Sequence, residues 1–324
     1  MKRREFITLL GGAAATWPFA VRAQQRVAKP VRIGVLANEW WPPVESLREG
    51  LRERGYVEGE NLHFEYRWAK DRNERHPILA AELVALPVDV IVTWGTPAAL
   101  AAKGATATIP IVMGAIGDPV RVGVVTNLAR PGGNITGFSA LTFEMEEKRL
   151  ELLKELLFGR LSRVAVFTTT NPALPLTLEY MQRAADTFGV TLQRLLIRET
   201  KDFDEAFGAI RRDRPDAAMV LADPFLGGHQ ARIAAFMAEI GLPAIYPFRH
   251  GVEAGGLISY TTNYHHLFRR AADYIDRILK GTSPADLPIQ LPTTFEMLIN
   301  LKTARTLGLT IPPAILARAD EVIE

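Results

Sequence analysis

The stretch from residue 88 to residue 137 constrains the possible folds more than any other part of the chain. Within it, two apolar runs at residues 90–93 and 109–113 end in small polar turns at residues 95–97 and 117–119, and each turn precedes a segment typical of a helix. Near-continuous apolar strands that alternate with helices are typical of a buried parallel sheet, and ligands bind at the carboxyl ends of such strands. Because neither turn carries an obvious catalytic group, the stretch predicts a binding site rather than a reaction centre.

The same alternation continues along the chain. The predicted strands are residues 31–37, 62–68, 88–93, 109–113, 163–168, 191–197, 217–222, 244–246, 256–260 and 295–301. The predicted helices are residues 46–54, 77–85, 97–105, a short one near 119–129, 142–158, 176–188, 204–212, 229–240, 265–279 and 302–307. This pattern predicts an α/β fold with two doubly wound parallel-sheet lobes.

The two sets of strand–helix units also predict the domain organisation. Lobe 1 is expected to comprise residues 31–138 plus 257–285, and lobe 2 residues 139–256 plus 286–324. The chain would then cross between the lobes near residue 139, near residue 256 and near residues 287–291. Several crossings make a hinge, and a hinge between two lobes creates a cleft.

Residues 1–23 have the composition of an export signal. The basic segment Lys2-Arg3-Arg4 precedes a weakly apolar stretch, residues 7–20, that is too short to cross a bilayer permanently. A twin-arginine pair followed by such a stretch is typical of the twin-arginine export route. We therefore predict cleavage after Ala23 and a periplasmic location; the alternative is an amphipathic N-terminal helix that is not cleaved.

Composition excludes several classes of function. The formal net charge is +2, but residues 1–23 alone carry net +3 and the remainder net −1, so no basic surface for nucleic acid is expected. The chain has no cysteine, which rules out a disulfide, a thiolate nucleophile and a cysteine zinc site. It has no phosphate-binding glycine motif and no nucleophile elbow, and the adjacent His265 and His266 point to different faces of a helix. We expect no catalytic residue, no metal and no cofactor.

The candidate ligand contacts of lobe 1 follow its predicted strands. They are Asn38, Trp40, Gly95, Thr96, Asp118 and Ser139. Thr96 either offers the first amides of its helix to a carboxylate or only caps that helix, and Asp118 either accepts a ligand ammonium group or acts as a cap. Trp40, next to Trp41, forms either an aromatic wall or surface packing, and Ser139 is either a hinge residue or a ligand contact.

Lobe 2 supplies a second set of strand-end candidates. They are Thr170, Asn171, Asp223, Tyr246 and Arg249. The Arg249 guanidinium either clamps a ligand carboxylate through two hydrogen bonds or takes part in an exposed ion pair.

Several sequence blocks together resemble the ABC transporter substrate-binding protein family that is related to tryptophan- and tyrosine-binding proteins. These blocks are residues 55–69, 95–103, 108–112, 118–120, 128–137, 147–156, 269–288 and 292–324. The resemblance implies a type I periplasmic binding protein fold with the ligand between two lobes. It also implies an inner-membrane ABC permease as partner, and we expect a monomer. The loops at residues 38–43 and 168–171 depart from the family pattern.

The favoured function is the reversible capture of a small organic solute, either an amino acid or an aromatic carboxylate, by closure of the cleft. One alternative is a ligand-loaded partner of a periplasmic sensor, and a further one is a periplasmic enzyme on the same fold. A transcription regulator with this architecture is disfavoured, because the export signal stands where a DNA-binding headpiece would be.

Overall fold

The computed structural model describes residues 29–324, apart from the side chain of Thr142, so the predicted export signal lies outside the described residues. The strands are β1 Val31–Ala37, β2 Leu62–Trp68, β3 Val90–Trp94, β4 Ile111–Ile116, β5 Ile135–Ser139, β6 Arg163–Thr168, β7 Thr191–Leu196, β8 Ala217–Val220, β9 Ala244–Tyr246, β10 Ile258–Thr262, β11 Phe295–Asn300 and β12 Glu321–Ile323. The helices are α1 Pro43–Glu53, α2 His76–Val84, α3 Thr96–Ala105, α4 Thr142–Leu156, α5 Leu174–Phe188, α6 Asp202–Asp213, α7 Pro224–Gly228, α8 Gln230–Ile240, α9 Arg249–Glu253, α10 Tyr264–Leu279, α11 Leu301–Thr306 and α12 Pro313–Leu316.

The strands form two sheets, as predicted for two doubly wound lobes. The first sheet has the order β2-β1-β3-β4-β5 and the second the order β12-β11-β10-β9-β8-β6-β7. All paired strands are parallel except β10 and β11, which run antiparallel. The fully buried strands β3 and β4 read as continuous apolar runs because helices cover both faces of their sheet.

Separate apolar clusters cover the two faces of the first sheet. On one face, Leu47 of α1 packs with Phe268 of α10. On the other face, Leu83 of α2 packs with Ala98 of α3. The core of the second lobe is one larger cluster around β6, β8 and β9.

The segment between β4 and α4 differs from the prediction. No helix forms near residues 119–129; turns and bends occupy that stretch, and strand β5 follows it. Strand β5 was not predicted because Gly137 interrupts its apolar pattern. This glycine has φ +136°, and a Cβ there would stand 2.2 Å from the Met113 carbonyl oxygen, so only glycine lets β5 approach β4 this closely. The short elements α7, α9, α12 and β12 were also missed.

The predicted boundary of lobe 1 at residue 257 requires correction. Strand β10 pairs with β9 and β11 of the second sheet, whereas α10 packs against α1 of the first lobe. At that contact, a Cβ on Gly50 would stand 2.8 Å from the Ala272 Cβ, so the two helices meet closely. The second crossing between lobes therefore lies between Thr262 and Asn263 rather than near residue 256.

The three crossings lie side by side and are joined by hydrogen bonds. The Ser139 amide donates to the Gln290 carbonyl at 2.9 Å, and the Thr262 hydroxyl donates to the Ala140 carbonyl at 3.0 Å. The Asn263 amide donates to the Thr294 carbonyl at 3.0 Å. Within residues 29–324, none of the helices combines the length and the apolar character that a bilayer-spanning segment requires.

Candidate ligand-binding cleft

A cavity of about 370 Å³ lies between the lobes, where the carboxyl ends of strands from both sheets face each other. Lobe 1 lines it with the loops after β1, β3 and β4, and lobe 2 lines it with the loops after β6, β8 and β9. This is the position at which doubly wound sheets bind ligands.

The structure brings six of the eleven sequence-predicted residues together at this cavity. They are Asn38, Trp40, Gly95, Thr96, Asn171 and Asp223. The other five do not line it; they are Asp118, Ser139, Thr170, Tyr246 and Arg249. All eleven end or follow a strand, so position at a strand end is not sufficient to place a side chain in the cleft.

Two of the excluded residues make hydrogen bonds within lobe 1 instead of facing the cavity. The Asp118 carboxylate accepts hydrogen bonds from the amides of Val120 and Arg121 at 3.0 and 3.1 Å, and it pairs with the Arg121 guanidinium at 3.2 Å. The buried Ser139 hydroxyl donates to the Gly117 carbonyl at 2.6 Å, beside the first crossing. The ammonium-binding role predicted for Asp118 is therefore not supported by its position.

The remaining three excluded residues all lie in the second lobe. Tyr246 is fully buried in the core of that lobe, and burial raises the pKa of its phenol strongly. The Arg249 guanidinium pairs with Glu253 at 2.8 Å and with Glu321 at 3.0 Å, so it is already neutralised. Thr170 is exposed. Of the two readings of Arg249, the geometry favours the ion pair.

The polar residues that do line the cavity are largely engaged within the protein. The Asn38 side chain donates to the Asp71 carboxylate and accepts from the Asp71 amide, both at 2.8 Å. The Asn171 side chain donates to the Asp223 carboxylate at 2.8 Å. These residues shape the cavity, and most of their hydrogen-bonding capacity is used.

Asp223 holds the second lobe's side of the cleft in place. Its carboxylate accepts from the amides of Phe225 and Leu226 at 2.9 and 3.1 Å and thereby caps α7. Burial raises the pKa of Asp223 from its ordinary 3.8, and the hydrogen bonds from Asn171 and the capped amides offset part of that rise.

We expect Asp223→Ala to lower the free energy of unfolding by about 2–4 kcal/mol, since it removes a helix cap and leaves the buried Asn171 amide without an acceptor. Asp223→Asn keeps the capping oxygen but sets one NH₂ group against that of Asn171, so it should lose less stability. Urea unfolding followed by circular dichroism measures both changes. An Asp223→Ala variant as stable as the parent would contradict this structural role.

Aromatic side chains form an apolar wall of the cleft. Trp41 lies edge-on to Phe248 and Tyr264, with ring centroids 5.4 and 4.6 Å apart. Trp94 lies at the end of β3 and packs edge-on against Phe268 at 5.6 Å. Of the tandem tryptophans, Trp41 forms this wall, whereas the neighbouring Trp40 is 51% exposed.

Trp41 and Trp94 were considered as possible cleft residues from the sequence, but neither they nor Phe248 and Tyr264 were among the eleven predicted site residues. The tandem Trp40-Trp41 was a usable signal for the first of them. Phe248 and Tyr264 carried no such signal, because Phe248 meets Trp41 from the facing lobe and Tyr264 meets it from α10, more than 200 positions along the chain.

At least four contacts join the two lobes across the cleft. A Cβ on Gly95 would stand 2.8 Å from Pro224 Cγ, and a Cβ on Gly228 would stand 2.5 Å from Glu39 Oε1. The other two contacts are Trp41 against Phe248 and the Arg121 guanidinium over the Tyr180 ring at 4.6 Å. The cleft is therefore closed over its cavity.

The charges around the cavity are few and of one sign. The carboxylates that line it belong to Glu39 and Asp223, and the described lining contains no lysine or arginine. The His250 ring also lines the cavity, and burial lowers the pKa of that ring, which favours its neutral form.

The family model of the ABC transporter substrate binding protein matches residues 42–323, which is most of the chain. The chain belongs to the ABC transporter substrate-binding protein family. Its fold is that of the type I periplasmic binding proteins. The family resemblance expected from the sequence blocks is thereby confirmed.

Similar proteins are found among both sequences and solved structures. A tyrosine-binding protein from Clostridioides difficile (strain R20291) is 25% identical over 285 residues, which cover 87% of this chain and 82% of that protein. A conserved domain protein from Vibrio cholerae is 30% identical, with a TM-score of 0.85 over 91% of this chain and 100% of that one. An ABC domain from Streptococcus pneumoniae, solved in complex with L-Trp, is 27% identical with a TM-score of 0.83 over the same shares. Two of these three relatives are thus named for, or solved with, an aromatic amino acid.

Proposed function

We propose that this protein captures a small aromatic organic solute, an amino acid or an aromatic carboxylate, and delivers it to an inner-membrane ABC permease by closure of the cleft. The observation that carries the proposal is the aromatic cavity between lobes that touch at its rim. A ligand in this cavity contacts both lobes only when they are closed, so binding shifts the protein toward the closed form. That relatives bind tyrosine or L-Trp supports an aromatic ligand.

The proposal includes the place and the partners of this step. The protein is exported by the twin-arginine route through residues 1–23, is cleaved after Ala23 and works in the periplasm as a monomer. Its partners are the small molecule and the permease, with no role for nucleic acid. Closure gives the permease a surface that differs between the loaded and the empty protein.

A thermal-shift screen tests the choice of ligand class. We expect aromatic amino acids or aromatic carboxylates to raise the melting temperature, because a ligand at a hundred times its Kd stabilises the native state by about 2.7 kcal/mol. Sugars and divalent metal ions serve as controls. Stabilisation only by those controls would overturn the assignment.

Uptake of the same ligand by the cell should also fall when the gene is deleted. An unchanged uptake rate with a lost sensory response would favour the sensor alternative.

A further inference from the structure

Glu39 occupies the contact between the cavity and the facing lobe. It is the second residue after β1 and lines the cavity. Its Oε1 atom stands 2.5 Å from where a Cβ on Gly228 would lie, so the carboxylate of lobe 1 rests on the glycine backbone at the end of α7 in lobe 2. A side chain at residue 228 would displace this carboxylate from the rim.

The partly exposed Glu39 carboxylate makes no hydrogen bond or ion pair with another side chain among residues 29–324. Partial burial, and then the negative charge of Asp71, raise the pKa of Glu39 from its ordinary 4.5, and of its neighbours only His229 on the facing lobe lowers it. No hydrogen bond contributes to this balance. At the rim of the cavity this carboxylate is therefore free to pair with a cationic group of an entering ligand.

The rest of the cavity offers no competing charge. The other lining carboxylate, Asp223, is saturated by Asn171 and by the amides at the start of α7. Neither lysine nor arginine lines the described cavity, and the environment of His250 favours its neutral form. Aromatic faces next to Glu39, including that of Trp41, attract a cation as well.

We propose that Glu39 is the specificity-determining residue of the cleft and that it selects ligands in which an aromatic body carries an ammonium group. This inference rests on the proposed function: of its two ligand classes it favours aromatic amino acids over aromatic carboxylates, and amines with the same aromatic rings should share that preference. An aromatic acid that lacks the amine brings a second negative charge next to Glu39 and finds no cation in the cavity. The carboxylate of an amino acid can instead face the first amides of α3, beside Thr96.

The experiment uses three aromatic rings and, for each ring, three compounds that differ in their charged groups. Isothermal titration of the mature chain uses phenylalanine, tyrosine and tryptophan; their amines phenethylamine, tyramine and tryptamine; and 3-phenylpropionate, 3-(4-hydroxyphenyl)propionate and indole-3-propionate. For the ring that binds best, we expect a compound with the ammonium group to bind about 10-fold or more tightly than the propionate. The propionate lacks the charge-assisted contact with Glu39.

The isosteric variant Glu39→Gln should abolish this preference. The matched control is Glu60→Gln, because Glu60 is exposed in the turn before β2 and does not line the cavity. A propionate that binds the parent as tightly as its amine overturns the inference, and so does an amine preference that survives in Glu39→Gln. Absence of binding by all nine compounds contradicts the proposed function itself, which separates the two failures.

Discussion

Arg149→Leu is expected to lower the free energy of unfolding by about 3–5 kcal/mol, the largest loss from any single change considered in this chain. Its guanidinium lies 2.6 Å from the Glu146 carboxylate, and the two side chains are 1% and 0% exposed. Removing one partner leaves the other as a buried charge without compensation. Urea unfolding followed by circular dichroism measures the loss.

The ion pair also binds the backbone at two points, one near the second crossing between the lobes and one at the cavity. Arg149 Nε donates to the Tyr260 carbonyl at 2.7 Å, and Glu146 Oε1 accepts from the Ala222 amide at 3.1 Å. Ala222 lines the cavity, so the pair connects α4 to the end of a strand that faces the cavity. The double variant Glu146→Leu/Arg149→Leu should recover only part of the lost stability, because both of these backbone groups lose a partner.

An exposed pair provides the control for this prediction. Arg183 and Glu179 lie on one face of α5 with side chains 66% and 56% exposed, and Arg183→Leu should cost less than about 1 kcal/mol. If Arg149→Leu is no more destabilising than Arg183→Leu, the buried pair does not support the hinge as described.

Gly95→Ala is expected to weaken ligand binding by about 5- to 150-fold. The added Cβ would stand 2.8 Å from Pro224 Cγ on the facing lobe, and a ring carbon cannot move aside as a flexible side chain does. The clash exists only when the lobes are closed. Overpacking of this kind costs about 1–3 kcal/mol, and each 1.4 kcal/mol changes Kd tenfold. Titration with the ligand found in the screen measures the change.

The same substitution also strains the backbone, and a second glycine separates the two effects. Gly95 has φ +79° and ψ +146°, a backbone conformation almost exclusive to glycine, which costs an alanine about 1–3 kcal/mol in both the open and the closed forms. Gly59 has φ +86° with nothing near its Cβ position, so Gly59→Ala should lower the melting temperature without changing Kd. Adding Pro224→Ala to Gly95→Ala should restore much of the affinity. A Kd that Pro224→Ala does not improve would show that the two lobes do not meet at Gly95.

Much of the fold could be predicted because its signals are local. The bounds of β1, β2, β6 and β9 agree with the predicted ranges, since a buried strand needs an unbroken apolar run and a half-exposed one needs alternation. Strand β5 was missed because its close approach to β4 requires a glycine at residue 137. That glycine interrupts the apolar pattern from which a strand is predicted. The lobe assigned to β10 was wrong for a similar reason, since its pairing partners lie in distant segments.

The site divides in the same way. Strand-end position correctly pointed to Gly95, Thr96 and Asn171 as neighbours of the cavity, because parallel strands present their carboxyl ends at one edge. It could not separate Asp118, which caps its own turn, from Glu39, which faces the cavity. Both follow a strand in lobe 1, and only their packing distinguishes them.

The sequence by itself determined the order and type of most elements, the family and the edge of each sheet where a ligand could bind, because apolar periodicity and strand direction are written in neighbouring residues. The tertiary structure alone decided which polar side chains are held by partners within the protein and which carboxylate can meet a ligand. Asn38 is engaged by Asp71 and Asn171 by Asp223, while Glu39 meets Gly228 from the other lobe. These partners are 33, 52 and 189 positions apart, and only the folded lobes bring them within reach.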